Sequence, residues 1–286
     1  MYFDPQTNKF PYLEDTNTHY LPVKKNRGIV FDKNYPYVDT SKSFQFKRKL
    51  FRIPVSTVAF LAMRIRLGLK IEGKKNLKKN KALLKQGAVS IANHIHMWDY
   101  LAVMRAISPV KPYHLSWDKN VNGENGTIIR LNGGVPVPIG NYAATEAYIK
   151  QVSKMLEEGG WLHIYPEGSM WEYYAKIRPF LPGAFYFAYR CNKPIVPMAF
   201  SYRKPGFIRS KIFKQIAKLT LHIGEPIMPN LELGKHEGIL DLAKRSHEAV
   251  VKLAGVEDNL YEPIYNNSKR IDYYTTEYGV GYKGSH

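Results

Sequence analysis

Cys191 is the only cysteine in the chain, and that scarcity excludes an internal disulfide and any cluster of thiolate metal ligands. A lone thiol of this kind reads as a small buried apolar residue, and the lack of disulfides fits a reducing cytoplasm. Acidic residues are also few: 24 Asp and Glu stand against 42 Lys and Arg, leaving a formal net charge of +18. Such an excess attracts phosphate-bearing partners, whether nucleic acid, coenzyme or anionic lipid, and charge alone does not choose among them. Long hydrophobic runs are missing too. The longest apolar stretch, Ile53 to Met63, falls short of the ~20 residues that cross a bilayer, and Arg64 and Arg66 close it. The opening MYFDPQTNKF has no basic region followed by an apolar one, so it does not read as a secretory signal, and a protein that stays inside the cell is expected.

What is present is ample apolar material. At 44% hydrophobic and 23% charged over 286 residues, the chain can bury a sizeable core and lacks the signature of disorder. One main domain with extensions is expected. Residues 1–40, rich in Tyr, Phe, Pro, Asn and Asp, read as an irregular arm whose aromatics pack on the body. Residues 41–69 read as one or two helices in which Lys47, Arg48, Lys49, Arg52, Arg64 and Arg66 surround an apolar middle. That pattern suits a helix lying in a membrane interface, and equally a core-packed helix with snorkelling cations. Residues 70–255 read as the body, and 256–286 as an irregular Tyr- and Asn-rich tail.

Within the body, short apolar runs (GAVSIANH, YHLSW, GGVPVPI, WLHIYPEG, IVPMAFSY) alternate with helical stretches. The spacing predicts helices over 141–158 and 236–254, each followed closely by glycine. Such alternation argues for an α/β fold, a mostly parallel central sheet flanked by helices, with functional loops at the carboxyl ends of the strands.

Two strand ends carry candidate chemistry. In Ile91-Ala-Asn-His-Ile-His-Met-Trp-Asp99 a His ends an apolar run and an Asp follows after four intervening residues, at the start of a helix predicted over 97–106. A carboxylate turned back onto one imidazole nitrogen fixes the tautomer and leaves the other nitrogen to take a proton from a hydroxyl. The plainer alternative makes His94 a loop residue and Asp99 a helix cap. The second segment, His163-Ile-Tyr-Pro-Glu-Gly-Ser169, ends another run in a turn whose glycine permits a sharp bend and exposed amides able to hold an oxyanion. Alone, Pro-Glu-Gly also describes an ordinary turn.

Taken together, Asn93-His94 through Asp99, Tyr165-Pro-Glu-Gly168 and Ile195-Val-Pro-Met198 resemble the glycerolipid acyltransferase family that includes lysophosphatidate acyltransferases, over roughly residues 45 to 230. The resemblance implies a glycerol-3-phosphate acyltransferase-like fold, an acyl-CoA or acyl-carrier-protein donor as co-substrate, a lipid alcohol acceptor, and no resident cofactor or metal. By the same resemblance His94 is the base and Asp99 its orienting partner. Asn93, Pro166, Glu167, Gly168 and Ser169 fall in the substrate site, and Pro197 in the acyl-binding wall. The acceptor hydroxyl, deprotonated by His94, attacks the thioester directly, and backbone amides stabilise the oxyanion by ~3 kcal/mol per donor. The implied setting is peripheral, on the cytoplasmic face of an anionic membrane, with no nucleic acid.

Departures from the family pattern bear on the acceptor. Where the family carries phosphate-binding arginines, this chain has Ile139 (in Gly133-Gly-Val-Pro-Val-Pro-Ile139) and Met170 (in Pro166-Glu-Gly-Ser-Met170). Arg130, Lys176 or Arg178 are candidate replacements; the simpler expectation is an acceptor other than lysophosphatidate, with Trp171, Tyr173 and Tyr174 shaping its pocket. The stretch from Arg203 to Lys214 reads either as a loop that dips Phe207, Ile208 and Phe213 into a membrane or as a basic hairpin with inward aromatics. The lysine run from Lys74 to Lys85 reads as a solvated face. Gly279-Val-Gly-Tyr-Lys-Gly284 matches a dinucleotide fingerprint only on paper, since no helix follows to receive a pyrophosphate. The rival readings are a basic membrane- or nucleic-acid-binding protein without acyl transfer, and a membrane scaffold that has lost catalysis.

Overall fold

A seven-stranded sheet organises the computed structural model, which describes residues 26–174, 176–212, 217–256, 275–276 and 279–280. Its strands are β1 (Lys70–Glu72), β2 (Ala88–Ile91), β3 (Tyr113–Trp117), β4 (Gly134–Val137), β5 (Trp161–Ile164), β6 (Ile195–Arg203) and β7 (Lys218–Ile223). They lie in the order β1-β7-β6-β2-β5-β3-β4. Only β6 and β7 pair antiparallel; the other pairings are parallel. All five apolar runs read from the sequence are strands, and β1 and β7 are additions.

Strand parity sorts the core, because alternate side chains leave opposite faces of a sheet. Val89, Ile91, Leu162 and Ile164 join one buried cluster, which also holds Tyr148, Val152, Leu242 and Val250 from the Tyr142–Glu157 and Lys235–Ala254 helices. Ala88, Trp161, Val196 and Met198 join the other, together with Met63, Ala102, Val103 and Ala106. Strands β2 and β5 are therefore buried on both faces, as central parallel strands require. The two long helices begin and end within a residue of their expected bounds. Asn141 caps the first by accepting from the Ala144 amide at 3.0 Å, and Gly255, at φ +69°, closes the second in the left-handed region.

Lys42–Pro54, a π-turn at Val55–Ala59 and Phe60–Arg66 form one helical run. Pro54, which lacks an N–H, stands where the hydrogen-bond ladder widens from α to π. Its first helix is inverted, with Arg48 and Arg52 buried and Phe46, Leu50 and Ile53 exposed; farther along, Val58, Leu61 and Ile65 are exposed as well, while Met63 is buried. Arg48 donates to the Pro112 carbonyl at 2.7 Å and lies over the Tyr113 ring, so its charge is met by carbonyl dipoles and a π face.

In the described part of the arm, Phe31, Tyr35, Tyr37 and Tyr148 form a chain of edge-to-face rings, as expected of aromatics packed on the body. Residues 1–25 and most of the tail lie outside the described residues, except the short antiparallel pair Thr275–Thr276 and Gly279–Val280. The lysine run forms two short helices, Lys74–Lys79 and Lys81–Leu84, with its lysines largely exposed. Between the antiparallel strands β6 and β7 the chain forms a helix, Phe207–Lys211. Phe207 is 78% exposed, and Ile208 and Ile212 are exposed beside it; Phe213 lies outside the described residues.

Candidate active site

Adjacent strands bring the two motifs together. Ile91 of β2 pairs with Ile164 of β5, so the loops that follow, holding His94 and Tyr165 to Ser169, emerge abreast at the carboxyl edge of the sheet. Backbone bonds then tie them: Trp171 N donates to His94 O at 3.0 Å and Tyr173 N to Ile95 O at 2.9 Å.

Asp99 opens the Asp99–Ala106 helix, but it is no cap, because its carboxylate turns back over the loop before it. Oδ2 accepts from His94 Nδ1 at 2.7 Å and from the Ile95 and His96 amides at 3.2 and 3.4 Å; Oδ1 accepts from the Tyr165 hydroxyl at 2.6 Å. Burial alone would raise this carboxyl. The His94 ring, hydrogen bonds from His94 and Tyr165, and nearby His96 outweigh burial and hold it below its ordinary value, so it is ionised. With Nδ1 donating to a carboxylate, neutral His94 presents a bare lone pair at Nε2. Its side chain is 23% exposed where that of Asp99 is 1%, so the dyad has one wet end and one dry end. The neighbouring rings are neutral: burial pushes His163 down to about 3 and His114 well below its usual value.

Several residues expected to touch substrate are hydrogen-bonded within the scaffold. Asn93 is buried, and its amide brackets Phe200, donating to the carbonyl at 3.2 Å and accepting from the amide at 2.7 Å, which extends the β2–β6 pairing by a side chain. Glu167 accepts the His94 amide at 3.0 Å and the Arg178 amide at 2.9 Å, and meets the Arg178 guanidinium at 3.1 Å with both side chains buried. Arg178 also donates to the Ser169 hydroxyl at 3.2 Å and to the Ser169 carbonyl, and lies 4.4 Å over Trp171. Pro166 O accepts from Leu181 N at 2.8 Å. The turn's amides are occupied: Gly168 N donates to Tyr165 O and Ser169 N to Glu167 O, each at 3.1 Å, while Gly168 itself, at φ +82°, adopts the bend that its lack of Cβ permits. The expectation that these amides hold an oxyanion is thereby corrected. Pro197 lies in β6 level with Ile91, its ring against Gly224. There the ladder changes partner from β2 to β7, and a missing N–H is tolerated.

Of the candidate replacement cations, Lys176 is buried and Arg130 and Arg178 are engaged within the protein. Arg130 donates to the carbonyls of Tyr37 and Gly134 at 2.8 Å each and of Pro36 at 2.6 Å, so it fastens the arm to the β4 edge and is not a phosphate ligand. Arg178 is held by Glu167. Trp171, Tyr173 and Tyr174 are buried. Ile139 is exposed, as its strand-end position suggests. Among the described residues, no cluster of three or more His, Cys, Asp and Glu is arranged to hold a metal ion.

Tyr165 is the residue to which sequence reasoning assigned no role. Its signal was parity: two residues after His163 on a strand end, it falls on the face covered by the Asp99–Ala106 helix. Its ring stacks on His94, with centroids 3.9 Å apart and 11° from parallel.

Residues 68–201, which hold this strand-end His–Asp dyad, match the protein-family model described as Acyltransferase. The matched segment runs from β1 into β6 and includes both His94 and Asp99. Its fold is similar to the crystal structure of the 1-acyl-sn-glycerophosphate (LPA) acyltransferase PlsC from Thermotoga maritima, with a TM-score of 0.51 and 16% identity, covering 78% of this chain and 85% of that one. Comparison with curated proteins finds no match.

Proposed function

We propose that this protein is an O-acyltransferase that moves a fatty acyl group from acyl-CoA or acyl-carrier protein to the hydroxyl of a lysophospholipid or related lipid acceptor. The observation that carries the reading is the His94–Asp99 pair at 2.7 Å, in which the imidazole is partly exposed and the carboxylate is buried. An acceptor hydroxyl gives its proton to Nε2 as its oxygen attacks the thioester carbon. Asp99 stabilises the imidazolium that forms. Collapse of the tetrahedral intermediate expels the thiolate, which takes the proton from His94, leaving an ester, a free thiol and the base restored.

The missing cations support a reading of the acceptor. With Ile139 and Met170 at the usual phosphate positions, and Arg130 and Arg178 engaged within the protein, a neutral or sugar-bearing lipid alcohol is the expected acceptor. A panel of acceptors with one labelled acyl donor, read by mass spectrometry, tests reaction class and acceptor together. Faster acylation of lysophosphatidate than of every neutral or glycosylated lipid would overturn the acceptor assignment, and no ester product at all would overturn the reaction.

We infer attachment to the cytoplasmic face of an anionic membrane, a reading supported by the exposed apolar residues of the first helical run. Among the described residues, no helix is long and apolar enough to cross a membrane, yet Phe46, Leu50, Ile53, Leu61 and Ile65 form an exposed stripe at helical spacing, with Lys47, Lys49 and Arg64 beside it. The exposed Phe207, Ile208 and Ile212 lie near the end of this run, because Leu219 N donates to Leu67 O at 3.0 Å and Arg203 donates to Gly68 O. Each fully inserted large aliphatic side chain contributes roughly 1.5–3 kcal/mol. The triple variant Leu50→Ser, Ile53→Ser, Leu61→Ser is therefore expected to bind anionic vesicles at least ~10-fold more weakly in co-sedimentation. Unchanged binding would place the attachment elsewhere.

A further inference from the structure

Asp99 serves two donors with its two oxygens: the His94 Nδ1–H at 2.7 Å and the Tyr165 hydroxyl at 2.6 Å. The same phenol ring lies flat on the imidazole at 3.9 Å. Covering His94 requires only the ring, so a phenylalanine would suffice for packing; the hydroxyl reaches the one carboxylate on which the base depends. We propose that Tyr165 is a positioning residue of the dyad, its ring fixing the plane of the imidazole and its hydroxyl drawing on the Asp99 carboxylate so as to weaken the base.

The reasoning is electrostatic. A carboxylate already stabilised by one short charge-assisted hydrogen bond has less negative charge to offer a second partner, and buried networks of this kind share their strength. Tyr165 stays protonated, since burial and then the Asp99 charge push its phenol well above the usual range. Removing the hydroxyl returns that share of charge to His94 and favours its protonated form.

Other titratable groups face His94, and all of them remain when the hydroxyl is removed. His96 lies on the same loop and accepts from the Trp98 amide at 3.1 Å; His163 stands behind Tyr165 with centroids 4.5 Å apart, and His114 is aligned with His163 across the β3–β5 pairing. Glu167, under the His94 amide, is matched by Arg178.

The proposal rests on His94 being the base, so its test reads His94 directly as well as turnover. In the full-length protein, the His94 ring resonances, assigned by their loss in His94→Ala, are followed by NMR through a pH titration. Tyr165→Phe is expected to raise the His94 midpoint by about 0.5 pH unit or more. The acidic limb of kcat/KM should move to higher pH by the same amount, because the base works only when neutral and activity is lost as pH falls through its midpoint. Incorporating 3-fluorotyrosine at position 165 makes the phenol a stronger donor with almost no change in shape, and it should move the midpoint down. Tyr165→Leu, which also removes the ring, should lower kcat more than it changes KM. Midpoints unmoved by both the Phe and the fluorotyrosine substitutions, or moved in the reverse directions, overturn the proposal. If the protein transfers no acyl group under any condition, the NMR midpoints still decide this point, and the failure belongs to the proposed reaction instead.

Discussion

Replacing His94 by Ala is expected to lower acyl transfer by ~10²-fold or more, the usual contribution of a positioned general base, while leaving vesicle binding intact. The direction follows from the geometry. Asp99 is buried and ionised, and its other contacts, the Ile95 and His96 amides and Tyr165, orient it without supplying a base at the exposed end of the dyad. Among the described residues no protein hydrogen bond occupies Nε2. Asp99→Asn preserves the shape but lets an amide NH2 face Nδ1, which favours the tautomer with the proton on the wrong nitrogen; a loss of similar order is expected. Steady-state rates with a labelled thioester donor provide the check, and unchanged turnover in His94→Ala removes this residue from the mechanism.

The largest loss of stability is expected from Arg178→Met. Arg178 and Glu167 are both buried and meet at 3.1 Å, and breaking such a pair by removing one partner leaves an uncompensated charge, which costs about 3–5 kcal/mol. For a domain of ordinary stability, about 5–15 kcal/mol, that is a third or more of the total. Urea or thermal unfolding should therefore show a steep drop, accompanied by reduced activity, because the carboxylate left behind is the one that accepts the His94 amide. Adding Glu167→Gln removes the stranded charge, and the double variant should recover part of the loss. A cost below ~1 kcal/mol for Arg178→Met, typical of an exposed pair, would show that the two groups are solvated rather than buried together.

The elements read from local pattern stand where the physics is local. Five apolar runs became strands, and the helices over 141–158 and 236–254 closed on the caps and glycines that announced them. Strands β1 and β7 escaped notice for identifiable reasons. β1 is three residues long and largely exposed, and β7, Lys218–Ile223, begins with a lysine after a basic stretch, so its apolar content is spread through a mixed sequence. The inverted character of the first helix was likewise hidden. Its composition allowed either face to point inward, and the carbonyls of Lys111 and Pro112 that receive Arg48 come from more than sixty residues away.

The dyad itself was legible because His94 and Asp99 are five residues apart, close enough for a single turn to join them whatever the rest of the chain does. Residue types likewise announced what each side chain is able to donate or accept. Which partner each one took was settled by the fold. Asn93 meets Phe200, Glu167 meets the backbone of His94 together with Arg178, Arg130 meets Pro36 and Tyr37, and Tyr165 meets Asp99. Hydrogen bonds act over about 3 Å; the order β6-β2-β5 in the sheet brings the stretches that hold Asn93, Tyr165, Glu167 and Phe200 within that reach, and the packing of the arm beside β4 does the same for Arg130.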